Sequence, residues 1–121
     1  MPTAPVLIES CDGVSVCHLE GELDAYAAPA VRDALSSVAE ESAVVIVLRD
    51  VRFIDSSGLG VLVGAVRRVR ELGGCIVLCS PTPAVARALA MVGLPRIVDV
   101  VADLESARRL VARAVGGGAA T

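Results

Sequence analysis

The segment Asp55-Ser56-Ser57-Gly58-Leu59-Gly60 marks the point at which the hydrophobic pattern changes from that of a strand to that of a helix. Before it, residues 44–48 form an uncharged run rich in β-branched side chains, typical of a buried strand. After it, apolar residues recur at three- and four-residue spacing, as on the buried face of a helix: Leu59, Leu62, Val63, Val66 and Val69. The two serines are therefore predicted to lie at a helix N-terminus, with Asp55 as the N-cap.

A helix N-terminus has its own chemistry, because its first turn carries unpaired N–H groups and the positive end of the helix dipole. A phosphate on the hydroxyl next to Asp55 is expected to be stabilised there and to change the surface without unfolding the domain. Taken alone, however, the local pattern favours a simpler role, since serine is common at helix starts whether or not it is modified.

The neighbouring segments predict the rest of the sheet. The helix is expected to stop at Gly73 and to lead into a strand over residues 75–79, which a right-handed crossover makes parallel to the strand over residues 44–48. Upstream, residues 6–8 and 14–19 flank an Asp-Gly turn and predict an antiparallel hairpin.

Two further helices and one strand are predicted in the second half of the chain. Thr82 is expected to cap a helix that continues through Met91, and Asp103 to cap the last helix. Residues 97–101 are predicted to form an edge strand. The fold class is therefore α/β, with a mixed four- or five-stranded sheet and helices packed against it.

The length of the chain favours one domain. A chain of 121 residues is long enough to bury a single hydrophobic core and too short for two of ordinary size. We expect the core of this domain to span about residues 6–114. Residues 1–5 are expected to form a loose lead-in, and residues 115–121 a flexible tail.

Three motifs resemble those of the STAS domain, and most closely those of the bacterial anti-sigma factor antagonists. The first runs from Phe53 through Asp55-Ser56-Ser57-Gly58 to Gly60, between a strand and a helix. The second is Gly21-Glu22-Leu23-Asp24, and the third is Met91-Val92-Gly93-Leu94. The resemblance covers about residues 6–114, nearly the whole chain, and implies the STAS fold.

The resemblance also implies a binding switch that is not an enzyme and needs no cofactor or metal. In the family, the serine directly after the aspartate takes the phosphate, which corresponds to Ser56 and not to Ser57. The unphosphorylated protein would bind an anti-sigma factor that is also a serine kinase, and so release a sigma factor. A phosphoserine phosphatase would restore binding. The residues expected to contact the partner are Asp24, Asp55, Ser57, Gly58, Leu59 and Gly60.

The glycines of the predicted helix need an explanation, because each costs about 1 kcal/mol in a helix interior relative to alanine. Close approach of a partner kinase to the serine would account for Gly58 and Gly60. Close packing of the helix on the sheet would account for Gly60 and Gly64, and it is the preferred explanation for Gly64. Asp24 has two open interpretations, as a helix cap or as a contact with the partner.

Two other functions remain as alternatives. One is a STAS module of another signalling or lipid-transport complex. The other is a serine hydrolase using Ser56 and His18, which is disfavoured because the motif lacks the Gly-x-Ser-x-Gly elbow and His18 lies within a predicted strand.

The composition excludes some classes of partner and indicates the cellular compartment. A net charge of −3 and an aromatic content of 2% argue against nucleic acid as a direct partner. The mean hydropathy of +0.70 is high, but the apolar runs are interrupted and shorter than the ~20 residues that span a bilayer. We therefore expect no membrane insertion. Since no positively charged N-terminal region precedes an apolar core, we expect no secretory signal and a cytoplasmic location. The four cysteines lack metal-ligand spacing and are expected to stay reduced.

Overall fold

After an initial pair of strands, helices and strands alternate along the computed structural model, which describes the backbone of residues 6–120 and the side chains of residues 6–114. The lead-in expected at residues 1–5, and Thr121, lie outside the described residues. The strands are β1 (Val6–Cys11), β2 (Val14–Leu23), β3 (Ala43–Ile54), β4 (Cys75–Cys79) and β5 (Asp99–Val101). The helices are α1 (Ala28–Ser36), α2 (Ser56–Glu71), α3 (Pro83–Met91) and α4 (Leu104–Ala120), with a 3-10 turn at Leu94–Arg96.

The five strands form one mixed sheet in the order β1-β2-β3-β4-β5. β1 is antiparallel to β2 across a turn in which Asp12 and Gly13 both have positive φ, as the Asp-Gly pair predicted. β2, β3, β4 and β5 are mutually parallel. The predicted α/β class, hairpin and parallel pairing of β3 with β4 are therefore confirmed.

Helices cover both faces of the sheet. Residues of α1, α2 and α3 pack on one face with Val44, Ile46 and Leu48 of β3. Residues of α4 pack on the other face with Val45 and Val47. Because both faces of the first half of β3 are buried, residues 43–48 are uncharged and do not alternate, which explains why residues 44–48 were the clearest strand in the sequence.

β2 and β3 both extend further than the sequence predicted. β2 continues past residue 19 to Leu23, and β3 continues past residue 48 to Ile54. The pairing of the added parts is irregular, with register shifts between His18 and Glu20 and between Gly21 and Glu22. These shifts break the period of two on which strand prediction depends. The extension matters because it brings the end of β2 beside the start of α2.

The predicted helix boundaries mostly agree with the structure. Gly73 has a φ of +84° after α2, and the Thr82 hydroxyl accepts a hydrogen bond from the Val85 N–H at 3.3 Å. Asp103 caps α4 by accepting from the Ser106 N–H at 2.7 Å, and this hydrogen bond lowers the pKa of its carboxyl. α4 includes most of residues 115–121, for which flexibility stays a prediction.

The edge strand β5 is shorter than expected. It begins at Asp99 instead of residue 97, because Ile97 closes the 3-10 turn at Leu94–Arg96. The Ile97 carbonyl accepts a hydrogen bond from the Arg70 guanidinium at the end of α2. Ile97 therefore belongs to the connection between α3 and β5.

Candidate functional site

Ser56 is the first residue of α2, and its side chain is exposed. It directly follows the strand β3, which ends at Ile54, and the N-cap Asp55. The predicted location of the serine, at the N-terminus of the helix that stops at Gly73, is therefore confirmed.

Asp55 already uses the amide groups at the start of this helix. Its Oδ1 accepts from the N–H of Ser57 at 2.9 Å and from the N–H of Gly58 at 3.1 Å. Its carbonyl oxygen accepts from the N–H of Leu59 at 2.9 Å. The expectation that free N–H groups would stabilise a phosphate on Ser56 is thus wrong for Ser57 and Gly58, because the N–H groups of both residues already donate to the Asp55 side chain.

Gly58 is required by the packing of α2 on β2. A Cβ placed on Gly58 would lie 2.2 Å from the carbonyl oxygen of Leu23 and 2.9 Å from Cγ1 of Ile54. The same Leu23 carbonyl accepts a hydrogen bond from the Asp55 N–H at 3.1 Å. Gly58 is buried, so an internal contact explains this glycine, instead of the approach of a partner.

Gly60 and Gly64 have the opposite environment. Both are exposed, and a Cβ on either would meet no atom within 4 Å. The expectation that they bring the helix close to the sheet is therefore wrong. At four-residue spacing they lie on the same helix face as Ser56. They also line a groove of about 330 Å³ between α1 and α2, which Arg32 and Glu40 border.

Asp24 stabilises the turn that precedes α1, not the first turn of the helix. Its Oδ1 accepts from the N–H of Ala27 at 3.0 Å, and its carbonyl oxygen accepts from the N–H of Ala28, the first residue of α1, at 2.9 Å. Asp24 directly follows Leu23, so this half-buried carboxylate lies at the same end of the sheet as Ser56.

The surface at this end of β2 and β3 is acidic. Glu20 and Asp50 are Cα partners in the β2–β3 pairing, and both side chains are exposed. The carboxylates of residues 20–24 and 49–55 are Glu20, Glu22, Asp24, Asp50 and Asp55. Only Arg49 and Arg52 oppose them within the same segments. A phosphate on Ser56 would add charge to an already negative region.

Sequence reasoning missed two exposed aromatic residues near the site, Tyr26 and Phe53. Phe53 was read only as part of a motif, because β3 was predicted to end before it. Tyr26 lies in the turn capped by Asp24. The signal that could have found them is composition: the chain has one tyrosine, one phenylalanine and no tryptophan.

The structure does not bring Ser56 and His18 together. The Nε2 atom of His18 lies 2.9 Å from Oε1 of Glu9 on the neighbouring strand. His18 precedes Leu23 by five residues, or roughly 16 Å along the strand. Leu23 pairs with Ile54, and Ser56 comes two residues after Ile54. A Ser-His hydrolase arrangement is therefore not formed.

The cysteines and other metal-ligating residues are dispersed. Cys11, Cys17, Cys75 and Cys79 are all free thiols, and burial raises the pKa of Cys17 to about 11. Among the side chains of residues 6–114, no three of His, Cys, Asp or Glu are grouped so as to hold a metal ion.

In the described part of the chain, no helix combines the length and apolar character needed to cross a membrane.

Comparison with known proteins identifies the family. Residues 6–107 match the family model of the STAS domain. The anti-sigma-B factor antagonist of Bacillus subtilis (strain 168) is 38% identical over 89 residues, which cover 73% of this chain and 82% of that protein. The crystal structure of an anti-sigma factor antagonist from Mycobacterium paratuberculosis superposes with a TM-score of 0.81 and 31% identity, covering 88% of this chain and 92% of that one.

Structures of the anti-sigma factor antagonist SpoIIAA match in two states. The unphosphorylated form has a TM-score of 0.73 and 25% identity, and covers 87% of this chain and 95% of that one. The phosphorylated form, from Bacillus, has a TM-score of 0.69 and 24% identity, and covers 87% of this chain and 98% of that one. Since the family model spans residues 6–107 and the architecture is shared, the chain belongs to the STAS domain family.

Proposed function

We propose that this chain is an anti-sigma factor antagonist whose binding is controlled by phosphorylation of Ser56. The observation that carries the proposal is an exposed serine at the first position of α2, directly after a capping aspartate, in a chain whose relatives are named anti-sigma factor antagonists. The chain acts by binding and is not itself the catalyst.

The partner is an anti-sigma factor with serine kinase activity. Because the kinase must reach the Ser56 hydroxyl, its surface covers the start of α2 and the exposed Gly60. Asp24, Ser57 and Leu59 are the other contact residues, whereas Asp55 and the buried Gly58 hold the loop in shape. Binding withdraws the anti-sigma factor from its sigma factor in the cytoplasm, and a phosphoserine phosphatase reverses the modification.

Phosphorylation ends binding through charge. A phosphoserine carries about −1.5 to −2 charges near neutral pH. Asp55 already accepts the N–H groups of Ser57 and Gly58, so these donors are not free to neutralise the phosphate within the chain. Like charges brought together at an interface cost several kcal/mol, which corresponds to a loss of affinity of about a hundredfold or more.

The fold is expected to survive phosphorylation. Ser56 is exposed, so a phosphate requires no change in the core. The phosphorylated and unphosphorylated SpoIIAA structures both match this fold. The modification therefore acts on the binding surface.

The test is phosphorylation followed by titration. The purified chain is incubated with ATP and an anti-sigma factor kinase of the same organism, and mass spectrometry should place one phosphate on Ser56. In calorimetry, Ser56→Asp should bind that kinase about a hundredfold more weakly than the wild type. Ser56→Ala should bind normally and resist phosphorylation.

A matched control separates the position of the charge from the charge itself. Ser42 is also exposed and lies just before β3, at the opposite end of that strand from Ser56. Ser42→Asp should bind like the wild type. A phosphate on Ser57, or equal binding by Ser56→Asp and the wild type, would contradict the proposal. A collapse of the melting temperature of Ser56→Asp would contradict the claim that the fold survives.

A further inference from the structure

The two aromatic residues of the chain are both exposed. Tyr26 is 81% exposed and Phe53 is 50% exposed, whereas the buried core consists of aliphatic and cysteine side chains. Aromatic residues bury 150–250 Å² each and contribute strongly to cores and interfaces. A single exposed apolar side chain is ordinary, so the positions of these two decide whether they form part of a binding surface.

Both residues lie close to Ser56. Phe53 precedes Asp55 by two residues, so their Cα atoms are at most about 7 Å apart. Tyr26 follows Leu23 by three residues, at most about 11 Å, and the Leu23 carbonyl accepts from the Asp55 N–H. A standard interface covers about 800 Å² on each partner, which is a patch about 30 Å across. Tyr26, Phe53 and Ser56 therefore fit within one interface.

The backbone presents both rings from fixed positions. Tyr26 lies in a turn closed by two hydrogen bonds to Asp24, one from the Ala27 N–H to the side chain and one from the Ala28 N–H to the carbonyl. Phe53 lies in β3, where its Cα partner is Glu22 of β2. Side chains on ordered backbone lose less freedom on binding, and tyrosine is enriched among residues that dominate interface energies.

The charges around the rings indicate the class of partner. Glu20, Glu22 and Asp50 are exposed carboxylates on the same segments of β2 and β3. They would repel the phosphates of a nucleic acid and the anionic surface of a membrane. A protein surface with apolar pockets bordered by arginine or lysine is complementary to this arrangement.

We propose that Tyr26 and Phe53 are the apolar anchors with which this chain binds its anti-sigma factor, in pockets that basic residues surround. The inference rests on the proposed function and adds the source of the affinity to it. The aromatic rings hold the partner, and the phosphate on Ser56 controls whether they can.

The test compares aromatic truncations with a matched control. Tyr26→Ala and Phe53→Ala are titrated by calorimetry with the purified anti-sigma factor kinase that binds the wild type. Each should lose about tenfold or more in affinity. Met91→Ala is the control, because Met91 is 86% exposed. The helix α3 starts after β4, at the sheet edge where β3 also ends, and Met91 lies at the opposite, C-terminal end of that helix. Its affinity should remain within about twofold of the wild type.

The outcomes separate this inference from the function on which it rests. If the kinase binds the wild type and phosphorylates Ser56 while both aromatic variants bind normally, the inference is overturned and the function stands. If no anti-sigma factor of the organism binds the wild type, both are overturned. If Phe53→Ala lowers the melting temperature, Tyr26→Ala decides, since a side chain 81% exposed contributes little to folding. Normal binding by a folded Tyr26→Ala would then overturn the inference.

Discussion

One carboxylate oxygen of Asp55 accepts hydrogen bonds from two amide groups, and we expect these hydrogen bonds to stabilise the loop. Oδ1 accepts from the N–H groups of Ser57 and Gly58, while the Asp55 N–H donates to Leu23 of β2. The residue therefore joins α2 to the sheet as well as capping the helix. Its role in stability can be separated from any contact with a partner.

Replacement of Asp55 by alanine should lower the free energy of unfolding by about 1 kcal/mol, the usual cost of losing an N-cap side chain. Urea denaturation measures this change. Asp50→Ala removes an exposed carboxylate on β3 and should change stability by less than about 0.5 kcal/mol. Equal stability of the two variants would show that the cap contributes nothing.

The same variant tests how a phosphate on Ser56 is accommodated. In Asp55→Ala the N–H groups of Ser57 and Gly58 lose their side-chain acceptor, so a phosphate on the neighbouring residue can accept from them. Phosphorylation should therefore stabilise Asp55→Ala more than it stabilises the wild type. An equal effect in both proteins would mean that Asp55 and the phosphate do not compete for these donors.

At the scale of the elements, two of the three glycines of α2, Gly58 and Gly60, have opposite environments. Gly58 lies against the Leu23 carbonyl, whereas Gly60 faces open space. Gly58→Ala should destabilise the fold by at least about 2 kcal/mol, within the range for overpacked sites. Gly60→Ala should stabilise it by up to about 1 kcal/mol, because alanine favours the helix.

Binding should respond differently from stability in this pair. Gly60 shares a helix face with Ser56, so a methyl group there obstructs the proposed partner although the fold becomes more stable. Chemical denaturation and calorimetry on Gly60→Ala therefore report opposite changes. Unaltered affinity would place the partner away from this face of α2.

The elements also show what the sequence could and could not predict. The change of period around Ser56 correctly predicted a strand, a helix and a second strand, here β3, α2 and β4. It could do so because the spacing of apolar residues follows from which faces of an element are buried. The end of β2 was missed because register shifts interrupt its period of two, and the end of β3 was missed because the exposed Arg49, Asp50 and Arg52 interrupt its apolar run.

The roles of individual site residues were harder to predict for the same reason. The strand over residues 14–19 was predicted to end before Leu23, so the contact of Leu23 with Gly58 could not be anticipated and the glycine was assigned to partner approach. The exposed Gly64 was assigned to a contact with the sheet that does not exist. Such assignments depend on distances between elements, which a single sequence does not contain.

At the scale of the whole molecule, the buried thiols link stability to alkaline pH. Burial raises the pKa of Cys17 from 9.0 to about 11, and also raises the pKa of Cys75 and Cys79. A thiol with a higher pKa in the folded state contributes its full stabilisation below the unfolded pKa and loses it as the pH rises through the folded pKa. Stability should therefore fall between pH 9.0 and about 11.

Cys17→Val checks the contribution of the most strongly shifted thiol while keeping an apolar side chain of similar size. Urea denaturation across that pH range should show a smaller loss of stability than in the wild type. Cys11→Ala, which removes an exposed thiol, should lose stability as the wild type does. Identical pH dependence of Cys17→Val and the wild type would contradict the prediction.

The position of Tyr26 has an optical consequence. As the only tyrosine in a chain without tryptophan, it is the main source of near-ultraviolet emission from the isolated protein. That signal comes from an exposed ring in the turn after β2 and reports almost nothing about the aliphatic interior. Unfolding must therefore be followed by far-ultraviolet circular dichroism, whereas a change in the intrinsic fluorescence of the isolated chain on phosphorylation becomes a label-free readout of the surface beside Ser56.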